Sequence, residues 1–210
     1  MKPLVNNNTI LEILYDHYRD SVSIVKKDIK ARQKYFQNSI LFLFFQFLLI
    51  FYSSQVVDFI NGILKSKLNF DSSLGYEAVS VLLHAMLLIH LMKYFQLNVS
   101  INRQYSYLHE IENKINKFRN DFITREGKSY LNNYPLFSNF IDVFYTTIFP
   151  LLVIFISCTI LIKNLINQHF SLDLLLLVEA SFSIFVIVLC GSYCFFYKTE
   201  VHRKIKNPLF

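Results

Sequence analysis

Apolar residues recur along the middle of the chain at Leu97, Ile101, Tyr105, Leu108, Ile111, Ile115, Phe118 and Phe122, in steps of three and four. That spacing is a heptad-type helical seam, not the alternation of a strand. The positions between are mostly polar or charged, as on a solvated helix face. An apolar stretch precedes the seam with no Gly or Pro to separate them, so one helix of about 47 residues, ~70 Å long, is expected from Glu77 to Ile123. Gly127, the pair Asn132-Asn133 and Pro135 then break the pattern.

A second seam lies near the start of the chain. Leu11, Leu14, Tyr18, Val22, Val25 and Ile29 follow the same steps, and Phe36 continues them one heptad later. Thr9-Ile10-Leu11-Glu12 has the form of a capping box, which predicts a helix beginning at Thr9. Residues 1–38 are therefore read as an N-terminal helical arm. Met1 to Asn8 lack the apolar core of a signal peptide.

Four apolar stretches complete the chain. The first, 39–61, opens on Ile40-Leu41-Phe42-Leu43-Phe44-Phe45, with Gln46 as its only strongly polar residue before Ser53. About 23 helical residues cover ~35 Å, enough for a hydrocarbon core of ~30 Å. The stretch Gly62 to Gly75 follows, with Ser72, Ser73 and Gly75 as turn or cap residues. The second span is 77–96, and 97–140 holds the central seam and a return segment. The third span, 141–162, carries Pro150 near its middle, where a kink and a freed carbonyl are expected. A short linker, Lys163 to Ser171, leads to the fourth span, 172–197, and 198–210 is a basic tail.

Composition supports a membrane assignment. The chain of 210 residues is 53% hydrophobic with four Gly and four Pro, a combination of long apolar elements and few turns that soluble domains seldom show. The fold class expected is all-α: a polytopic protein with four transmembrane helices, the first two extended into a stalk. Of the 21 Lys and Arg, 18 lie in the N-terminal arm, between Lys93 and Lys128, or in the tail. Both termini and the central segment are thus expected in the cytoplasm. The net charge of +6 follows from these span-flanking residues, which meet anionic lipid, so nucleic acid is not an expected direct partner. The arm runs toward the membrane and the segment from Leu97 runs away from it, with similar lengths. The seams either pair with each other as an antiparallel hairpin or pair between subunits.

Candidate chemistry is sparse. Glu179 and His84 each lie about seven residues into a span that starts at the outer face, so both sit ~10 Å deep. Intramembrane ionisable residues are functional candidates by default. A contact between them would suit a gate or ion path. The plainer reading is a neutral Glu179 bonded to Ser181, Ser183 or a neighbouring helix. His90 is a further intramembrane polar candidate, and Lys93 can snorkel to the interface. Arg125, Glu126, Lys128 and Tyr130 mark the far end of the central segment as a candidate partner-binding tip, against a helix-end salt bridge as the plain alternative. His109, Glu110 and Glu112 resemble metal ligands by type, but Glu110 and Glu112 point to different helix faces. Cys158, Cys190 and Cys194 all fall in apolar spans and imply no disulfide framework. No phosphate-binding loop, nucleophile motif or zinc spacing occurs, so neither an enzyme nor a cofactor or metal is expected.

The runs Tyr107-Leu108-His109-Glu110-Ile111-Glu112, Arg125-Glu126-Gly127-Lys128-Ser129-Tyr130 and Tyr134-Pro135, with Asp16-His17-Tyr18 before a basic helix, carry a resemblance over about two thirds of the chain. They are similar to small four-span membrane proteins of bacterial anti-phage defence systems. Both the membrane subunit of a Kiwa-type pair and the four-span effectors tied to nucleotide second messengers are of this kind. The resemblance implies a homo-oligomer in the bacterial inner membrane that senses infection, or perturbs the bilayer when a soluble cytoplasmic partner signals. The expected function is therefore a sensor or effector coupling such a partner to the membrane helices. The alternatives are a passive membrane anchor or scaffold for a soluble partner, and a small proton-coupled transporter subunit using Glu179 and His84 as a relay. Transporters often carry inverted repeats, and the second half of this chain shows none matching the first.

Overall fold

The computed structural model describes residues 7–69, 73–118, 140–141, 143–167 and 174–206. Among these residues the chain is helical, with no strand. Its elements are α1 (Asn7–Phe51), α2 (Ser53–Leu68), α3 (Tyr76–Phe118), a π-helical turn (Phe144–Ile148), α4 (Phe149–Asn167) and α5 (Leu174–Lys206). Four helical stretches are long and apolar enough to cross a membrane: Asn8–Phe51, Tyr76–Lys117, Phe144–Ile166 and Leu174–Tyr197. The chain divides into two compact units. One comprises Met1–Lys34 with Lys93–Phe140, and the other Tyr35–Met92 with Ile141–Phe210.

The first unit is built by the two seams. Tyr18, Val25, Leu108, Ile111 and Ile115 are buried together, flanked by Leu11, Leu14, Val22, Ile29 and Tyr105. Polar bonds beside the seam fix its register. The Tyr18 hydroxyl donates to Glu112 Oε1 at 2.9 Å. Ser100 Oγ and Gln104 Nε2 both donate to Asp28 Oδ2 at 3.1 Å, and Arg32 donates to Asn98 Oδ1 at 3.3 Å. As α1 positions rise from 18 to 32, their α3 partners fall from 112 to 98, so the two segments run antiparallel. Polar surface pairs such as Lys114–Glu110 at 2.7 Å keep the outer faces solvated. Glu112 is only 3% exposed, so a Tyr18→Phe change would strip a hydrogen bond from a buried carboxyl. The expected cost is about 1–3 kcal/mol. It would appear as faster amide exchange across residues 11–29 and 101–115, with residues 174–197 unchanged.

The second unit is a four-helix bundle with α2 folded against it. Phe36 packs edge-on against Phe149, with ring centroids 4.9 Å apart, and Lys163 bonds to Ile50, so α1 and α4 run in the same direction here. Ser80 pairs with Glu179 and His84 with Ser183, so α3 and α5 also share a direction. Cys194 Sγ meets the Thr146 carbonyl near one end of the α4–α5 pair, and Asn164 lies beside Glu179 near the other, so these two helices run antiparallel. Large apolar side chains cover the outside, among them Phe155 at 71% and Phe195 at 65% exposure. In water that surface would be costly; in hydrocarbon it is the expected exterior.

Several boundaries differ from the sequence expectation, each for a physical reason. α1 already includes Asn7 and Asn8, so Thr9 is not its N-cap. The first apolar stretch is not one helix over 39–61. The backbone breaks at Tyr52, with φ −128° and ψ 50°, where Ser53-Ser54-Gln55 can start a new helix. α2 then packs Val56, Val57 and Ile60 against Leu49, Val79 and Leu83. It ends at Asn69, whose left-handed φ of 51° suits an αL cap. The stretch after Gly62 is thus helical as far as Leu68. Asn61 clamps the Leu74 backbone, donating to its carbonyl at 3.0 Å and accepting from its N–H at 2.9 Å.

Pro150 falls in the first turn of α4, after the π-helical turn. A proline ring would strike the carbonyl four residues back, at Thr146, and the wide turn relieves this. Phe149 N–H reaches back five residues, to the Phe144 carbonyl. The supposed linker starting at Lys163 is helical through Asn167, and α5 continues past 197 to Lys206.

Candidate functional site: a polar centre inside the four-helix unit

Each helix of the bundle contributes a buried polar side chain. These are Gln46 on α1, Ser80 and His84 on α3, Ser157 and Asn164 on α4, and Glu179 and Ser183 on α5, none more than 4% exposed. Ser80 and His84 are one turn apart, as are Glu179 and Ser183, so each pair projects from one helix face. With α3 and α5 parallel, the two pairs meet level by level.

The Ser80 hydroxyl donates to Glu179 Oε1. His84 Nδ1 lies 3.0 Å from the Ser80 carbonyl oxygen, and Nε2 lies 3.1 Å from Ser183 Oγ. A carbonyl only accepts, so Nδ1 carries the ring hydrogen; in the neutral ring Nε2 then accepts from the Ser183 hydroxyl. Above Ser80, Tyr76 donates to Asn164 Oδ1 at 3.0 Å. Glu179 Oε2, Asn164 Nδ2, Ser157 Oγ and both polar ends of Gln46 are buried with no hydrogen bond within 3.5 Å among the described residues. Such groups in a protein interior mark either strain or a site with work to do.

Lys163 completes the outer rim of the cluster. Its ammonium donates to the Leu49 and Ile50 carbonyls at 3.3 and 2.6 Å and sits 5.6 Å from the centre of the Tyr76 ring. It therefore caps the carboxyl end of α1, whose last carbonyls lose their in-line partners at the Tyr52 break.

Glu179 and His84 belong to one network, joined through Ser80 and not by a direct bond. Ser181 takes no part; it is exposed and bonds to the Val178 carbonyl. His90 lies apart from this network. Its Nδ1 is 2.8 Å from the Met86 carbonyl, and its ring lies against Tyr35 and Phe42, at 5.8 and 5.0 Å. Arg125, Glu126, Lys128 and Tyr130 lie outside the described residues. His109 and Glu110 have separate partners, Glu112 at 3.8 Å and Lys114 at 2.7 Å. Among the described residues no three His, Cys, Asp or Glu side chains converge as a metal-ion site. Sequence reasoning missed Ser80, Asn164, Tyr76 and Lys163. The i, i+4 pairing of Ser80 with His84 and of Glu179 with Ser183 is the signal that could have found part of the set.

No protein-family model, curated protein or solved structure matches this chain.

Proposed function

We propose that the chain is a non-enzymatic sensor or effector of the bacterial inner membrane, acting as a homo-oligomer. Its two-helix unit stands as a stalk in the cytoplasm, with both termini on that side. A soluble partner engages the stalk, and the movement reaches the polar centre around Glu179 and His84. One observation carries this reading: α1 and α3 each hold seam residues and membrane-span residues on an unbroken helical backbone. A helix transmits rotation and translation along its axis, because every backbone bond links one turn to the next. The distribution of Lys and Arg supports the orientation. The resemblance to anti-phage membrane proteins supports infection as the signal.

The experiment is a plating assay in bacteria carrying the chain with its neighbouring genes. Inserting three glycines after Gln33, at an exposed position of α1, should abolish protection while the protein still reaches the membrane. Glu179→Gln should do the same. If both variants protect as well as wild type, the chain is a passive anchor for its partner. If wild type gives no protection against any phage, the defence assignment is overturned.

A further inference from the structure

The polar centre does not extend through the bundle. From Tyr76 to His84 it covers nine residues of α3, a rise of ~12 Å. Beyond His84 the same face of α3 presents Leu87 and Leu91, both fully buried. Beyond Ser183, α5 presents Val186 and Cys190, and before Ser157, α4 presents Val153, all at 0% exposure. Leu43 on α1, 4% exposed, lies at this level, by the register that Phe36–Phe149 and Ile50–Lys163 set for α1 and α4. The interior is thus polar at one end and mostly aliphatic at the other, where the buried hydroxyl of Ser39 on α1 is bonded to its own helix at the Tyr35 carbonyl. At the polar end, Tyr76, Glu77 and Lys163 are only partly buried, so it meets the surroundings of the bundle.

We propose that Glu179 is a proton-binding site reached from the Tyr76 end, and that Leu87, Leu91, Val153 and Val186 form the gate that closes it from the other. Glu179 Oε2 takes up one proton, so that carboxylate plus proton becomes the neutral acid, and returns it by the same path while the gate is shut. The ligand is a proton and not a metal cation, because the centre offers one carboxyl group and its neighbours are mostly donors. Ser80 gives its hydrogen to Oε1, the Asn164 amide lies beside the same carboxyl group, and His84 Nδ1 is committed to a carbonyl. A bare cation would find too few oxygen ligands.

When the gate parts, His84 Nε2 is the next acceptor, free to take the proton once the Ser183 hydroxyl turns away. The titratable groups facing the centre are Tyr76, Glu77 and His84 on α3, Lys163 on α4, and Glu179 with the more distant Cys190 on α5. α1 presents Gln46, which does not titrate, and the Asn61 side chain of α2 is taken up by the Leu74 backbone. Dewetted aliphatic constrictions of this kind hold back ions until they widen.

This inference rests on the membrane reading of the four apolar helices but not on coupling to the stalk, so a failure of either is recognised separately. Two measurements on the purified full chain test it. The first treats wild type in nanodiscs with dicyclohexylcarbodiimide, which adds to a protonated carboxyl in an apolar setting and remains as an N-acylurea. Mass spectrometry should find one whole reagent molecule on Glu179, added more slowly as pH rises. An unmodified Glu179 at acidic pH overturns the site.

The second uses proteoliposomes containing a pH-sensitive dye. Wild type should hold a proton gradient. Leu87→Ser and Leu91→Ser should collapse it without passing potassium, and adding Glu179→Gln to either should restore the tight state. A leak indifferent to Glu179, a leak that carries potassium equally, or no leak from either serine variant would each refute the gate.

Discussion

Replacing Lys163 by methionine is expected to lower the stability of the four-helix unit by about 2–3 kcal/mol. The change leaves the carbonyls of Leu49 and Ile50 without the ammonium that now satisfies them at 3.3 and 2.6 Å. Each buried carbonyl left unpaired costs about 1–3 kcal/mol. Removing a partly buried charge gives some of that back, because the ammonium no longer has to be kept out of water. The attraction between the cation and the negative end of α1 is lost as well. Methionine keeps nearly the volume and the flexibility of lysine, so the change isolates the charge and its hydrogen bonds.

The assay follows from the position of the thiols. Cys158, Cys190 and Cys194 form no disulfide and all belong to this unit, so a thiol-reactive dye reports its thermal unfolding in detergent. The midpoint should fall for Lys163→Met and stay within error for Lys65→Met, whose side chain is exposed on α2. Equal midpoints for the two variants would show that the break at Tyr52 is held by apolar packing alone.

Lys163 also shows where sequence reading stops. The buried positions of the two-helix unit were legible in the pattern, because burial on a helix leaves a period of three and four. Tyr18, Val25, Leu108, Ile111 and Ile115 all lie on the expected seams. The four apolar stretches were legible by hydropathy and length. What hydropathy cannot register is a change of direction inside an apolar run. The break at Tyr52 depends on partners elsewhere in the chain: Lys163 for the released carbonyls, and Leu49, Val79 and Leu83 for the face of α2.

Polar residues after an apolar run read as a loop, so the sequence places Lys163 and Asn164 in a linker, whereas they are helical. Glu112, beside the seam, reads as a solvated carboxylate, yet it is 3% exposed because Tyr18 reaches it from 94 residues away. Glu179 and His84 stood out because charge inside a membrane span is expensive. Ser80 and Ser183 did not, because serine costs little in a membrane helix and carries no signal beyond its spacing.

The larger effect belongs to the first unit. Leu108 is 1% exposed at the centre of the seam, while its neighbour Tyr107 is 46% exposed. Leu108→Lys forces an ammonium into a site lined by Tyr18, Val25, Ile111 and Ile115; even with Glu112 one turn away, taking that charge out of water costs about 3–5 kcal/mol. Lost apolar burial adds roughly 2 kcal/mol more. Whole domains are stable by about 5–15 kcal/mol, and two helices sharing a single seam sit at the low end of that range, so the variant should leave this unit unfolded.

Tyr107→Lys, on the solvated face, should change stability by no more than ~0.5 kcal/mol. Limited trypsin digestion separates the outcomes, since Lys26, Lys27, Arg103 and Lys114 all lie within the paired segments. The Leu108 variant should be cut there rapidly, and the Tyr107 variant should resist as wild type does. The thiol-dye midpoint should be the same in both, because the cysteines lie in the other unit. If Leu108→Lys resists trypsin while Tyr107→Lys does not, the seam faces the opposite way. If both resist, the two segments are held by something other than their apolar faces, and movement of one against the other cannot carry a signal.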